Sequence, residues 1–537
     1  MHDCFQIPEV VALISSKISE EVFAFLSPPE RASEARVAVL SFARSCRAFK
    51  EPALDVLWSK LTSLEPLIRC LPRDLWRRSS PGGPLVIERA LFAQDWETFH
   101  YYARRVRCLK VVTPPQIDIS FLLAVSGSPS SSLLPNLTDL LWFDMSGVSS
   151  LLLRFFLGPS LQTLNLRGCR PTQLAQQAVI ASLGRFCPSL RRLTMESIEL
   201  PATNCRAICD LKHLTYLDVG CINRRALEHL SSLQSLVELD VAAVETTLPN
   251  RSFRPVTTFA QNLRLLRITA PTFPSACSLL DGTSFSLEEL IIEVQKLGST
   301  SLNVCLLTTL RSFTVTLTKC QIRMWTTKTT DLNDTRFSFS LAGIAPLLSC
   351  HKLQELLLYD SFRSVIDDSD MERMAKSWPE LTELHFGVDH PWRDPPKLTL
   401  SGLCSLLEHC PLLSCLEVAF IAQVSGPLTS TPPKKRTVNK RICSLSVGSS
   451  PIEEPLKVAA FLSAFLPNLT AISCYVPCRA QDGIDPVHSV YRERWKLFEE
   501  NYQFFVTIRK QGMNIQAAGE EDSGDASDEP QNYVLVD

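Results

Sequence analysis

Acidic side chains recur at matching positions in short leucine-rich segments along this 537-residue chain. In residues 214–219 (LTYLDV) and 236–241 (LVELDV), carboxylates and leucines alternate. In an extended strand, this alternation puts the carboxylates on one face and the leucines on the other. An exposed row of carboxylates can form ion pairs with a basic protein segment. We predict that eight acids bind a partner protein, which we call the client: Asp218, Glu238, Asp240, Glu289, Glu293, Glu355, Glu383 and Glu417.

The sequence contains no recognisable pattern for catalysis or cofactor binding. Motifs for nucleotide phosphates (GxxxxGK[ST]), zinc proteases (HExxH), serine hydrolases (GxSxG) and dinucleotides (GxGxxG) are missing. The nine histidines are scattered, and neither His213 nor His385 has a catalytic partner nearby in sequence. No Cys-x-x-Cys pair occurs, which argues against zinc. We therefore expect a protein that is not an enzyme, with no catalytic residue, cofactor or metal.

The segments that carry these acids follow one pattern. Residues 161–169 (LQTLNLRGC) have the form LxxLxLxxC, which is the strand consensus of leucine-rich repeats. The first six positions recur fourteen times, with a mean step of about 28 residues. The matches begin at Val106, Leu137, Leu161, Leu190, Leu214, Leu236, Leu263, Leu287, Leu310, Leu353, Leu381, Leu413, Ile442 and Leu469. Between the matches, apolar residues recur at helical spacing, as in residues 173–186 and 402–409. Strands that alternate with helices predict an α/β leucine-rich-repeat solenoid, a horseshoe with a parallel sheet on its concave face.

The predicted concave face is acidic, although the whole chain has a net charge of only −2. The predicted concave positions hold ten acids, the eight above with Asp139 and Glu196. They hold only four bases: Lys110, Arg167, Arg192 and Arg267. This balance favours a basic client protein and disfavours nucleic acid. The alternative is that exposed strand positions carry charge without any binding role. No apolar run approaches the roughly 18 residues of a membrane helix, so no membrane partner is expected.

The first 60 residues do not follow the repeat. Ala35, Val39, Phe42, Cys46 and Phe49 are three or four residues apart, which predicts one continuous helix over residues 30–49. Residues 7–10 (IPEV), 43–49 (ARSCRAF) and 52–58 (PALDVLW) together resemble the F-box at the start of fungal, basidiomycete-type F-box/leucine-rich-repeat proteins.

This resemblance implies that the segment docks on a Skp-type adaptor protein and, through it, on a cullin. The positions that match the adaptor-facing residues of the family are Ile7, Pro8, Val10, Ile14, Leu40, Cys46 and Phe49. The alternative is a helical cap that only covers the first repeat.

The sequence divides into five segments. Residues 1–60 are the F-box-like helical domain, 61–105 a helical linker and N-terminal cap, and 106–475 the solenoid. A polar insertion with Trp325 separates the repeats that begin at Leu310 and Leu353. Residues 476–512 predict a capping helix that ends at Gly512, with Tyr491, Trp495, Phe498, Tyr502 and Phe505 on one face. The acidic residues 513–537 predict a disordered tail.

Together these features suggest a non-catalytic substrate receptor of an SCF-type ubiquitin ligase. The alternative is a protein-binding scaffold with no ligase role, such as a Ran-type GTPase regulator or an inhibitor that wraps an enzyme. Residues 1–9 do not resemble a signal peptide, so we expect the nineteen cysteines to be reduced and the protein to be cytoplasmic, nuclear or both. The basic residues 434–441 fit either a nuclear-import signal or a solvated loop.

Overall fold

The computed structural model describes residues 10, 13–14, 17, 29–81, 83–112, 120, 124, 132–143, 149–168, 174–199, 202–222, 224–243, 262–280, 284–298, 300–313, 316–325, 335–360, 362–389, 394–424, 438–474 and 486–522. Ile7, Pro8 and residues 434–437 of the basic run lie outside this described part. The chain divides into two compact units, Met1–Ala243 with Thr258–Leu263, and Val244–Thr257 with Arg264–Asp537. We call them the first unit and the second unit.

In its described residues, the first unit has a parallel sheet of seven strands that pair in chain order. The strands are Lys60–Leu61, Cys108–Val112, Asp139–Phe143, Thr163–Arg167, Arg192–Glu199, Tyr216–Cys221 and Glu238–Ala242. Their inward leucines are aligned in register and at most 1% exposed: Leu109, Leu140, Leu164, Leu193, Leu217 and Leu239. Each buried leucine stabilises the fold by about 2 kcal/mol relative to an exposed one, so this leucine ladder fixes the register.

Short helices connect these strands. Helix Arg224–Ser232 is typical, because Ala226 and Leu230 lie one turn apart and both are buried. The helices of the first unit are Pro29–Ser45, Arg47–Ser59, Glu65–Arg69, Ala93–Ala103, Leu174–Ala181, Leu183–Phe186, Ala202–Ile208 and Arg224–Ser232. A separate antiparallel pair, Trp76–Arg78 and Leu85–Ile87, precedes the repeats.

The second unit repeats the same design with eight parallel strands in its described residues. They are Leu265–Thr272, Glu289–Lys296, Lys319–Met324, Glu355–Asp360, Glu383–Phe386, Cys415–Val418, Ser444–Gly448 and Ala471–Cys474. Its ladder consists of Leu266, Leu290, Cys320, Leu356, Leu384, Leu416, Leu445 and Ile472. Cysteine takes the place of leucine at Cys320, which is fully buried.

Two successive helices of the second unit are joined near their starts by hydrogen bonds. The Asp368 carboxylate accepts hydrogen bonds from the backbone N–H of Thr399 (2.7 Å) and from its hydroxyl (2.6 Å), which joins two successive helix starts. The helices are Phe273–Leu280, Leu302–Leu310, Leu341–Ile344, Asp368–Ser377, Leu400–His409, Pro455–Leu462 and Pro486–Asp522.

Thirteen of the fourteen predicted repeat positions lead into a strand, and the position at Leu310 is wrong. Leu310 ends helix Leu302–Leu310, where Leu306 and Leu310 are buried one helical turn apart. The strand is Lys319–Met324 instead, preceded by the buried Leu317. The start of the predicted polar insertion is therefore a repeat strand. The two-residue strand Lys60–Leu61, which pairs with Cys108–Val112, was not predicted as part of the sheet.

The prediction of one continuous helix over residues 30–49 is also wrong. Helix Pro29–Ser45 ends where Cys46 has an extended backbone (φ −151°, ψ 146°), and helix Arg47–Ser59 follows. The Ser45 hydroxyl donates to the Phe42 carbonyl (2.7 Å), which satisfies an acceptor left over at the helix end.

The C-terminal helix, Pro486–Asp522, packs against the last repeat. Trp495, Phe498, Tyr502 and Val506 are at most 3% exposed. The predicted end of this helix at Gly512 is wrong, since the helix continues to Asp522. One interior glycine costs only about 1 kcal/mol relative to alanine, and good helix formers follow it in QAA, residues 516–518. Residues 523–537 of the predicted disordered tail lie outside the described residues.

Candidate functional site

The face of the second unit's sheet opposite the leucine ladder consists of aligned rows. The first row holds Leu265, Glu289, Lys319, Glu355, Glu383 and Cys415, and the second holds Arg267, Ile291, Gln321, Leu357, His385 and Glu417. The third row holds Thr269, Glu293, Arg323 and Tyr359. These rows alternate with the leucine ladder, as the period of two requires. They bring together five of the predicted client-binding acids.

The first row is the acidic one. Lys319 Nζ lies 2.5 Å from Glu355 Oε2, and it is the one base among three aligned acids, Glu289, Glu355 and Glu383. Like charges on neighbouring strands oppose sheet formation. This row therefore carries more negative charge than its one lysine neutralises.

The balance predicted for this face changes with the corrected register. Strand Lys319–Met324 adds Lys319 and Arg323 to the exposed positions, and neither was counted in the sequence. The rows of the second unit therefore carry a smaller acidic excess than the sequence predicted, and that excess is concentrated in the first row.

His385 forms a buried ionic network in the second row. Its Nδ1 lies 2.9 Å from Glu417 Oε2 and its Nε2 lies 2.9 Å from Asp389 Oδ2, while the residue is 4% exposed. Burial alone would lower the pKa of His385, but the hydrogen bonds and charges of Asp389 and Glu417 outweigh it and raise this pKa to about 9. The hydrogen bond from His385 in turn lowers the pKa of Glu417. The Glu417 carboxylate is thus already paired within the chain.

Sequence reasoning found His385 but missed both its partners: Asp389 is only four residues away, whereas Glu417 is 32 residues away along the chain. Only the register between strands Glu383–Phe386 and Cys415–Val418 places His385 beside Glu417. Asp389 also accepts the backbone N–H of Asp360 (2.7 Å), and Asp360 has φ of 70°, a conformation that is uncommon for residues other than glycine.

An aromatic and cationic stack lies beside this network. The guanidinium carbon of Arg323 is 5.0 Å from the ring centre of Trp325 and 4.7 Å from that of Tyr359. Tyr359 lies 4.3 Å from the His385 ring, and Trp325 is 50% exposed. Tryptophan, tyrosine and arginine are the residues that most often carry binding energy at protein interfaces.

In the first unit, three predicted client-binding acids lie close together. Asp218 and Asp240 are register neighbours, and Glu238 is the register neighbour of Tyr216. Burial and the charges of Asp218 and Asp240 raise the pKa of Tyr216. The guanidinium of Arg192 lies over the Tyr216 ring, 4.2 Å from its centre. We call Asp218, Glu238 and Asp240 the acidic cluster of the first unit.

Among the described N-terminal residues, the predicted adaptor contacts differ in how exposed they are. Leu40 is 46% exposed, Val10 and Ile14 are partly exposed, and Cys46 is half-buried. Phe49 is 9% exposed and stacks on Phe42 with ring centres 4.4 Å apart, so it belongs to the core.

One further exposed apolar residue lies close to Leu40. Val37, which was not selected from the sequence, is 58% exposed on the same helix. It lies one turn before Leu40, so the two side chains are neighbours on the helix surface.

Helix Arg47–Ser59 is joined to the first repeat by an ionic and aromatic cluster. The buried Arg105 pairs with Glu51 and Asp55. The Tyr101 hydroxyl donates to Glu51 (2.8 Å), and Trp58 packs on Tyr102 at 4.6 Å between ring centres. The helix also leads directly into strand Lys60–Leu61 of the sheet. It is therefore fixed to the sheet of the first unit.

In the part of the chain that the structure describes, no group of three or more His, Cys, Asp or Glu side chains is arranged to hold a metal ion. Among the same residues, no helix combines the length and apolar character needed to span a bilayer.

The aligned strands, the buried ladders and the alternating helices are those of a leucine-rich-repeat fold. No family model matches the sequence, and no curated protein is significantly similar to it. Among solved structures, an internalin (inlF) from Listeria monocytogenes aligns at 15% identity with a TM-score of 0.32, over 59% of this chain and 76% of that chain. The leucine-rich repeat-containing protein LegL7 from Legionella pneumophila aligns at 10% identity with a TM-score of 0.25, over 60% and 94%. Likenesses this weak support no functional inference.

Proposed function

We propose that this protein is a non-catalytic substrate receptor of an SCF-type ubiquitin ligase. Its N-terminal helices dock on a Skp-type adaptor and, through it, on a cullin, while the exposed face of the repeat sheet holds a client protein. The observation that carries this proposal is the outward pair Val37 and Leu40, on a helix whose intervening residue Val39 is fully buried. The helix thus packs through one side and offers apolar surface on the other.

The connection to the repeats supports the same proposal. A receptor must hold its client at a fixed place relative to the adaptor. The contacts of Arg105, Tyr101 and Trp58 join helix Arg47–Ser59 to helix Ala93–Ala103 and to Arg105, directly before strand Cys108–Val112. In the second unit, the client surface combines the first row with aromatic anchors such as Trp325. In the first unit, the acidic cluster provides a separate client surface. A client with a basic segment fits these charges.

Binding to a purified Skp-type adaptor tests the adaptor half of the proposal. We expect the wild-type chain to bind, and Val37→Glu/Leu40→Glu and Ile7→Asp/Pro8→Ala to lose binding by about tenfold or more. Val304→Glu is the matched control, because Val304 is 53% exposed on a helix of the second unit. Failure of the wild-type chain to bind would favour the alternative, a repeat scaffold that uses the same sheet face without any ligase contact.

A further inference from the structure

The C-terminal helix has an apolar surface on the side that faces away from the repeats. Val490, Leu497, Phe504 and Ile508 are 43%, 43%, 65% and 47% exposed. We call these four residues the outer stripe. Trp495, Phe498, Tyr502 and Val506 form the opposite, buried side of the same helix.

The outer stripe is not a scatter of isolated residues. The described part of the chain has thirteen large apolar residues that are exposed, and four of them share this one helix face. Exposed apolar residues are normal when they occur singly, whereas a contiguous set on one face marks an interaction surface.

The stripe is also held in place. Trp495 Nε1 donates to the Ser450 carbonyl (2.9 Å), Tyr502 donates to the Leu466 carbonyl (2.8 Å), and Gln503 donates to the Leu469 carbonyl (2.6 Å). These bonds fix the rotation of the helix, so the outer stripe is preformed and a partner need not order it.

The spacing of the stripe indicates the shape of its partner. Val490, Leu497 and Phe504 are seven residues apart, and Ile508 follows Phe504 by four. Steps of seven and four are the pattern with which one helix packs along another in a left-handed pair. Two polar residues lie in the same seam, Arg494 between Val490 and Leu497, where it donates to the Ile452 carbonyl (2.8 Å), and Asn501 between Leu497 and Phe504. Polar residues at such positions specify the register of a helix pair.

The charge along one edge indicates the composition of the partner. Glu493 and Glu500 are both exposed and lie one heptad apart beside the seam. A second copy of this helix does not suit that edge. In an antiparallel pair, the acidic edge of each copy would face the acidic edge of the other. In a parallel pair, the acids would face the edge of Phe498 and Phe505, which is turned toward the chain's own repeats.

The chain's own basic segment does not suit the stripe either. Residues 432–441 (PPKKRTVNKR) contain two prolines and no apolar residues at helical spacing. We propose that the outer stripe docks an amphipathic helix of another protein. The apolar seam of that helix packs on Val490, Leu497, Phe504 and Ile508, and its flanking lysines or arginines pair with Glu493 and Glu500.

Two synthetic helical peptides of about four heptads test this proposal on the full-length chain. Both carry leucine at the seam positions, and one carries lysine at the flanking positions where the other carries glutamate. Fluorescence anisotropy should show that the lysine peptide binds at least about tenfold more tightly than the glutamate peptide. Leu497→Glu/Phe504→Glu should abolish binding of the lysine peptide, and Glu493→Lys/Glu500→Lys should invert the preference between the two peptides.

Leu456→Glu is the matched control, since Leu456 is 47% exposed on the preceding helix and outside the stripe. It should bind the lysine peptide like the wild type, and circular dichroism should show that all variants are folded. Equal binding of the two peptides, or unchanged binding by Leu497→Glu/Phe504→Glu, would overturn the proposal. A wild-type dimer in sedimentation that Leu497→Glu/Phe504→Glu converts to a monomer would also overturn it, because the stripe would then bind a second copy.

Discussion

His385 shows how a buried charge can be stable on this sheet. An isolated imidazolium at 4% exposure would be unfavourable, but carboxylates on both sides accept its two N–H groups. The network leaves Glu417 neutralised within the chain, although the sequence suggested it as a client contact. The acids better placed to attract a basic client in the second unit are Glu289, Glu355 and Glu383, which share the single Lys319.

The pKa of His385 leads to a prediction about stability and pH. It is raised from an ordinary value of 6.5 to about 9 in the folded protein. A raised folded-state pKa stabilises the fold fully below the unfolded value, and this contribution is lost as the pH rises through the folded value. Between about pH 6 and about pH 9.5, the wild type should lose about 2–3 kcal/mol more unfolding free energy than His385→Gln, which cannot titrate.

Urea unfolding of both proteins across this range measures the difference. Groups away from the histidine titrate alike in both proteins and their contributions cancel, whereas Asp360 and Glu417 lose the charge of His385 in the variant. Parallel stability curves for wild type and His385→Gln would contradict the ionic network.

At the scale of single elements, the sequence predicts those strands of the second unit whose ladder position is a leucine or isoleucine. For example, the leucine pattern correctly predicted the ladder positions of Leu266, Leu290 and Leu356. The strand Lys319–Met324 was missed because Cys320 takes that position and a helical leucine, Leu310, matches the start of the same template seven residues before Leu317. The template records which residues are apolar, and it does not distinguish a helix turn from a strand start.

The C-terminal helix gives a prediction that separates its two faces. Trp495→Ala removes a side chain that is 1% exposed and donates to the Ser450 carbonyl, so it should cost about 3–5 kcal/mol of stability. Because repeats contact mainly their neighbours, the loss should appear first in strand Ala471–Cys474. Phe504→Ala, on the exposed face, should change stability by less than about 0.5 kcal/mol.

Hydrogen exchange of the amides in strands Ala471–Cys474 and Leu265–Thr272 distinguishes these outcomes. Exchange in the last strand should accelerate strongly in Trp495→Ala, with little change in Leu265–Thr272. Equal acceleration in both strands would argue against a local capping role for this helix.

The helix Arg47–Ser59 gives a second prediction at this scale. Arg105 is buried, and its Nε has no hydrogen-bond partner in the described structure, whereas Glu51 and Asp55 are largely exposed. Arg105→Met should therefore change global stability by no more than about 1 kcal/mol, because it leaves no buried unpaired charge. It should nevertheless loosen the helix, which hydrogen exchange over residues 47–59 would show. Unchanged exchange there would mean that Arg105 does not fix the helix.

For the whole molecule, the sequence established the class of fold more securely than the binding surface. Apolar periodicity marks the buried ladder because each ladder position must be apolar, whatever its neighbours are. Charge on the exposed face depends on which residues lie side by side across strands that are far apart in sequence. Asp218 and Asp240 could be inferred as neighbours because their segments match closely, whereas the pairing of His385 with Glu417 required the structure.

Client binding by the acidic cluster is the prediction that concerns the whole molecule. Replacing Asp218, Glu238 and Asp240 with lysine reverses three neighbouring charges on the sheet of the first unit while leaving its leucine ladder intact. If a basic client binds there, its recovery by affinity purification with quantitative mass spectrometry should fall by about tenfold or more. Binding of a Skp-type adaptor through the N-terminal helices should remain, because Val37 and Leu40 are unchanged.

Net charge alone could reduce the recovery of a basic protein, so the control must carry the same change in charge. Glu97, Glu408 and Glu453 are exposed and lie outside the strands of the sheet, and their replacement with lysine alters the total charge identically. Proteins lost from the acidic-cluster variant but kept by this control are the clients that the cluster binds. If both variants lose the same proteins, the effect is one of overall charge. If neither does, the exposed acids of the first unit do not contact the client.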